Sequence, residues 1–284
     1  MLGVSSLLTT DATWDAAASG SPDLSIERYQ RIEYLVNQAI QARPRPTHLL
    51  LPELSLPERW LNTVSSLLKE SRISLIAGLD YHIEKNQIHS EAALVLEDDR
   101  LGFHAYVRVH QPKTEPAPGE DQRLVRDFGK AWVKFSESDR KKVVYQHNGF
   151  TFGVLVCSEL QNVEHRLNFQ GAVDCVMVLS WNQDLETFSA LVESASLDVH
   201  AYIVLVNNRR YGDSRVRAPT KANYARDLCR LRGGENEHVV VAKLDVDTLR
   251  RFQSRAKSWP SDNDPFKPVP EGFEIKLYRA AIPL

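Results

Sequence analysis

Three observations predict an α/β fold built from layers of sheet and helix. In the second half of the chain, short apolar runs alternate with segments of helical apolar spacing. Hairpin-like pairs occupy the middle, around Asp98–Asp99 and Asn148–Gly149. No linker divides the 284 residues, so 1–284 reads as a single domain with an extended C-terminal arm from about residue 258.

The elements follow in order. "LGVSSLL" (2–8) reads as a first strand and "TTDATWDAAASGSPDL" as a polar loop. Ser25 caps a helix in which Tyr29, Ile32, Leu35, Val36, Ala39 and Ile40 fall at helical spacing, and Pro44 and Pro46 stop it. "THLLLPEL" is an apolar strand of the kind buried on both faces. A helix at about 57–71 and the strand "ISLIAGL" (73–79) come next. "IHSEAALVLEDDRLGFHAYVRVH" gives two strands, residues 111–140 read as irregular, and "KKVVYQHNGFTFGVLVC" gives another pair. After Cys157 come a helix (about 159–170), the strand "VDCVMVLSW", a helix (184–199) and the strand "AYIVLVN". A basic segment that includes the helix-like surroundings of Cys229, the strand "HVVVAKLD" and the helix "VDTLRRFQSR" complete the core.

Composition sets the bounds. Hydrophobic residues at 43% and charged residues at 25% are those of a soluble globular protein with a sizeable core. A formal charge of -2 excludes a globally basic nucleic-acid binder. No apolar run approaches the ~20 residues of a membrane helix, and the first residues lack the positive region of a secretory signal. Cys157, Cys175 and Cys229 are widely spaced and odd in number, which argues for a reducing, cytoplasmic setting without a disulfide framework. No CxxC, HExxH, GxGxxG or Walker pattern occurs, so neither metal nor cofactor is expected.

Two strand ends stand out. "GVLVCSEL" (153–160) runs four apolar residues into Cys157 and turns polar at once. Packing explains most such cysteines, since free cysteine is among the most buried residue types. "LLLPEL" sets Glu53 directly after a buried strand, with Pro52 interrupting the ladder. Open α/β sheets build their sites at the carboxyl ends of strands, where both residues stand. "QPKTEPAPGED" (111–121) is stiffened by three prolines and presents Lys113, Glu115 and Glu120.

"THLLLPELSLP", "QPKTEPAPGE" and "FGVLVCSEL", in that order, resemble the three signature segments of the nitrilase (carbon–nitrogen hydrolase) superfamily. Glu53 to Lys113 spans 60 residues and Lys113 to Cys157 spans 44, as in that family. "VDCVMVLSW" resembles its strand ending in Ser180–Trp181, and "AYIVLVNNR" the strand ending in Asn207. The resemblance implies an α-β-β-α sandwich and a Glu53–Lys113–Cys157 triad. It also implies a second glutamate, Glu120, seven residues after Lys113, and homodimers paired through helices near the cysteine. Helix 184–199, with Leu185, Phe188, Leu191, Val192, Ala195 and Val199 at helical spacing, is the candidate dimer face. Many members read Tyr-x-Lys-x-His; "YVRVH" (106–110) would put Arg108 at the lysine and make Glu115 the second glutamate.

The implied reaction is hydrolysis of a small amide or carbamoyl compound through a cysteine thioester. Glu53 would act as acid and base, with Lys113 and the Ser158 backbone N–H on the oxyanion. Ser158 stands where true nitrilases carry tryptophan, which favours the amidase branch. A reading of another class is a nitrilase-fold module for partner binding. Residues 207–232 hold eight Lys/Arg against two Asp, a possible nucleic-acid surface. The chain is somewhat similar to the nitrilase-like domains found with bacterial defence reverse transcriptases.

Overall fold

The run Leu49, Leu50, Leu51 is buried on both faces, and the faces have different partners. Leu49 and Leu51 cluster with Ile32, Leu35, Leu61 and Val64 of two helices. Leu50 clusters instead with Val154, Met177 and Val204 of a second sheet. A strand apolar on both sides lies between two layers; here these are a helix pair outside and another sheet inside. The computed structural model describes residues 1–100, 102–255 and 263–280.

The first stretch of chain forms β1 (Leu2–Ser6), α1 (Asp11–Ser19), α2 (Ile26–Gln41), β2 (His48–Leu56), α3 (Glu58–Lys69) and β3 (Ser74–Leu79). A small hairpin, β4 (His82–Glu84) and β5 (Gln87–His89), precedes β6 (Glu91–Asp98) and β7 (Ala105–Pro112). Then come α4 (Glu120–Phe128), β8 (Ala131–Trp132), β9 (Val144–His147), β10 (Phe150–Val156), α5 (Val163–Phe169), β11 (Cys175–Ser180) and α6 (Leu185–Ala195). The remainder is β12 (Tyr202–Asn207), β13 (Ser214–Arg217), β14 (Asp227–Leu231), β15 (His238–Ala242) and α7 (Val246–Ser254).

One sheet has the order β15-β1-β2-β3-β6-β7 and the other β14-β13-β12-β11-β10-β9. Each has a parallel centre, β1–β2–β3 or β10–β11–β12, flanked by antiparallel strands. Parallel neighbours need long crossovers, which α2, α3, α5 and α6 supply. The result is the α-β-β-α sandwich; Cys157 directly follows β10, whereas Glu53, expected just after its strand, lies inside β2 of the other sheet, past the point where regular pairing with β3 stops at Leu51. No helix among the described residues is long and apolar enough to cross a membrane.

Several local expectations change. "TTDATWDAAASGSPDL" is not a loop: Thr10 caps α1 by accepting the Thr13 N–H, and the helix buries Trp14, Ala17 and Ala18. Residues 111–140 are not wholly irregular, because α4 starts at Glu120 after Gly119 in a left-handed cap at φ 80°. The helix expected at 159–170 opens as a 3-10 turn, Cys157–Gln161, and becomes α-helical only after Asn162 caps α5. Cys229 lies on strand β14, whose residues alternate between half-buried and exposed. Phe188, Val192, Ala195 and Val199 all join the inner core, so the stripe offered as a dimer face packs on this chain's own sheet.

Of the arm expected from about residue 258, residues 256–262 and 281–284 lie outside the described residues. Within 263–280, Phe266 bridges to Thr220, and buried Arg279 donates to Asp174 at 2.8 Å.

Candidate active site

The β2–β3 ladder slips between Leu51 and Leu56. Pro52 has no N–H to give, and Leu54 takes a left-handed φ of 53°. Such an irregularity re-aims a side chain, and here it accompanies Glu53. The opposite strand must leave room. A Cβ on Gly78 would lie 2.4 Å from the Glu53 Cα and 2.6 Å from the Pro52 carbonyl oxygen. Gly78→Ala is therefore expected to push Glu53 out of place and to cost about 1–3 kcal/mol of stability, the scale of overpacking. Urea unfolding with Gly3→Ala as a roomier control would check this; equal small losses at both positions would refute it.

Lys113 follows β7, where its N–H donates to the Ser90 carbonyl at 2.8 Å. It is 1% exposed. Its Nζ donates to Glu53 Oε1 at 2.9 Å and to Glu120 Oε2 at 2.8 Å, and lies 5.3 Å from the centre of the Trp132 ring. Glu120 has both oxygens occupied. Oε2 also accepts the Ala117 N–H at 2.6 Å, and Oε1 accepts the Tyr81 hydroxyl at 2.5 Å. Tyr81 is itself held by the Trp14 Nε1–H at 3.1 Å. The other oxygen of Glu53 accepts the Trp181 N–H at 3.0 Å.

Cys157 leaves β10 at a φ of 49°, left-handed space that a side chain enters at a cost. The turn puts its thiol beside the Ser180 hydroxyl, which donates to Sγ at 3.4 Å. Ser158 is the second residue of the 3-10 turn. The first N–H groups of such a turn have no partner within it, which leaves the Ser158 N–H a candidate donor.

Burial, followed by the Glu53 charge, pushes the Cys157 thiol up to about 12. Burial also raises Glu53 above its ordinary value, against the pull of Lys113. Burial acts on Glu120 in the same sense, but Lys113, Tyr81 and the Ala117 N–H outweigh it and lower that carboxyl. For Lys113, burial opposes the charge, while Glu120 and Glu53 more than compensate and raise it. The two carboxylates around one ammonium are thus displaced in opposite directions, Glu53 upward and Glu120 downward.

Arg108 and Glu115 lie outside this cluster. Arg108 is exposed on β7, bonded to Asn62 and 3.7 Å from Glu58 of α3. Glu115 is exposed and pairs with Arg140 at 3.1 Å. The basic segment is largely neutralised within the chain. Arg215 and Arg230 pair with Asp213, Arg217 with Glu193 and Asp227, Arg226 with Glu193, Arg209 with Glu237 and Arg210 with Asp11.

No protein-family model and no curated protein matches the sequence. Solved structures do. An amidase from Nesterenkonia sp. superposes at a TM-score of 0.59 and 15% identity, over 86% of this chain and 90% of its own. A mutant of the Nesterenkonia sp. AN1 amidase in complex with butyramide gives 0.59 and 15% over 88% and 92%. Another mutant, showing covalent addition of the acetamide moiety of fluoroacetamide at the active site cysteine, gives the same values. That amidase is of the nitrilase superfamily. The chain has the nitrilase-superfamily amidase fold.

Within this nitrilase-type fold, sequence reasoning missed residues that surround the cluster. Tyr81 stands just past β3, in "GLDY", at a strand's carboxyl end like Cys157. The same rule that singled out Cys157 would have found it. For Lys142 the signal was indirect: the predicted strand pair turning at Asn148–Gly149 brings its segment towards that of Glu159, its ion-pair partner.

Proposed function

We propose that this protein hydrolyses a non-peptide carbon–nitrogen bond, in an amide or carbamoyl compound, through a thioester on Cys157. The observation that carries the reading is a thiol on a strained strand-end turn beside a buried Glu53–Lys113–Glu120 cluster. Likeness of fold to an amidase with a reactive cysteine supports it.

The thiol, pushed up to about 12, is not ionised at rest. Proton removal therefore accompanies attack. Glu53 takes the proton as Sγ bonds to the carbonyl carbon. The Lys113 ammonium and the Ser158 N–H receive the oxyanion. Glu53 then passes its proton to the departing amine, and water, deprotonated by Glu53, releases the acid from the thioester. Glu120 holds Lys113 in place and is itself fixed by the Tyr81 hydroxyl and the Ala117 N–H.

The direct test is a screen of amides and carbamoyl compounds for ammonia release, with intact-mass detection of an acyl adduct. A pH dependence follows. Glu53 must be ionised to act as base, so kcat/KM falls as pH drops through its carboxyl value, displaced upward from the ordinary 4.5. Glu53→Gln should abolish that acid limb together with activity. An acid limb surviving in the glutamine variant would assign the base elsewhere.

A further inference from the structure

Lys142 and Glu159 form a second ion pair beside the cluster, with both side chains buried. Neither has a place in the chemistry above. Their remaining bonds reach both sides of the two reactive residues. The Lys142 ammonium donates to the Pro112 carbonyl at 3.1 Å, just before Lys113. Glu159 Oε1 accepts the Thr114 N–H at 2.8 Å and the Thr114 hydroxyl at 3.1 Å, just after Lys113. Glu159 Oε2 accepts the Val156 N–H at 2.9 Å, just before Cys157, and Glu159 itself lies two residues after it.

We propose that the Lys142–Glu159 pair is a clasp that sets the Lys113 loop and the Cys157 turn at their working separation. This makes the two side chains positioning residues for the hydrolysis, and the inference rests on that reading of the site. A buried ion pair is a poor way to gain stability, because desolvation offsets most of the attraction. Its value here is geometric. One carboxylate ties a loop to a strained turn through three backbone and side-chain donors besides the ammonium, and reactive groups lose much of their advantage when displaced by about 1 Å.

The test reads Cys157 reactivity without knowledge of the substrate. Purified protein is treated with iodoacetamide, and peptide mass mapping follows the rate at Cys157 alone. The doubly neutral K142M/E159Q variant avoids a lone buried charge and is expected to stay folded. Its Cys157 should react at least about tenfold more slowly, with kcat lowered more than KM is raised on any amide found by screening. Lys142→Arg, which keeps charge and donors, should restore the rate to within about threefold. Arg279→Met breaks a buried pair at the opposite end of β11; it should lower Tm and leave the Cys157 rate unchanged.

A folded double variant with the wild-type rate would overturn the clasp. If that variant does not fold, Glu159→Asp keeps the charge and shortens the reach, and a wild-type rate there overturns it equally. A wild-type protein whose Cys157 does not react at all would instead sink the hydrolase reading itself.

Discussion

Cys157→Ala is expected to lower turnover by at least about 10⁴-fold, the scale of removing a covalent nucleophile, with the fold intact. The residue is 6% exposed and ends β10, and alanine removes one sulfur without changing the backbone conformation required. Cys175→Ser should do the reverse. Cys175 is fully buried within β11, where a hydroxyl would be placed among core residues, so Tm falls and activity persists. Cys229→Ser, on the half-buried edge strand β14, should change neither. Ammonia release and thermal melts on the three variants separate these outcomes. Measurable turnover by the Cys157 variant would mean another nucleophile.

The second large effect concerns Lys113. Lys113→Ala should lower kcat at least about a hundredfold, the scale of a lost oxyanion donor. It should also cost stability, because Glu53 and Glu120 would face each other unpaired in the interior. Breaking a buried pair from one side typically costs about 3–5 kcal/mol. Assays therefore belong well below the lowered Tm. An acyl adduct should fail to accumulate, since acylation needs the same donor. Arg108→Ala, at an exposed site beside Asn62 and Glu58, should change stability by no more than about 0.5 kcal/mol. The opposite pattern, with Arg108 essential and Lys113 dispensable, would move the site to Glu53, Arg108, Glu115 and Cys157.

Much of this was legible in the sequence because it follows from strand ends. A polar residue directly after a fully apolar run is visible without any structure, and that rule found Glu53 and Cys157. The proline-stiffened loop pointed to Lys113 and Glu120, which now sit on one ammonium–carboxylate contact. What stayed hidden had no local pattern. Helix α4 buries only Leu124, so no apolar stripe announced it. Strand β14 carries charge on both faces, so alternation was masked and Cys229 looked helical. Lys142 and Glu159, 17 apart, flank the β9–β10 hairpin, but both lie beyond its paired residues, which end at Val144 and Gly153, so their contact is not read from the hairpin register alone.

Strand β15 has a consequence for how the chain is made. It pairs with β1 from Leu2↔Ala242 to Ser6↔His238, closing the first sheet on its earliest strand. A ribosome adding about 5–20 residues per second emits β15 roughly ten to fifty seconds after β1. Throughout that interval β1, all five of whose residues end up buried, lacks its β15 partner and leaves a hydrogen-bonding edge open to solvent or to any neighbouring nascent chain. Slowing elongation between residues 7 and 237 is therefore expected to lengthen the exposure of that edge and to raise the insoluble fraction of newly made protein.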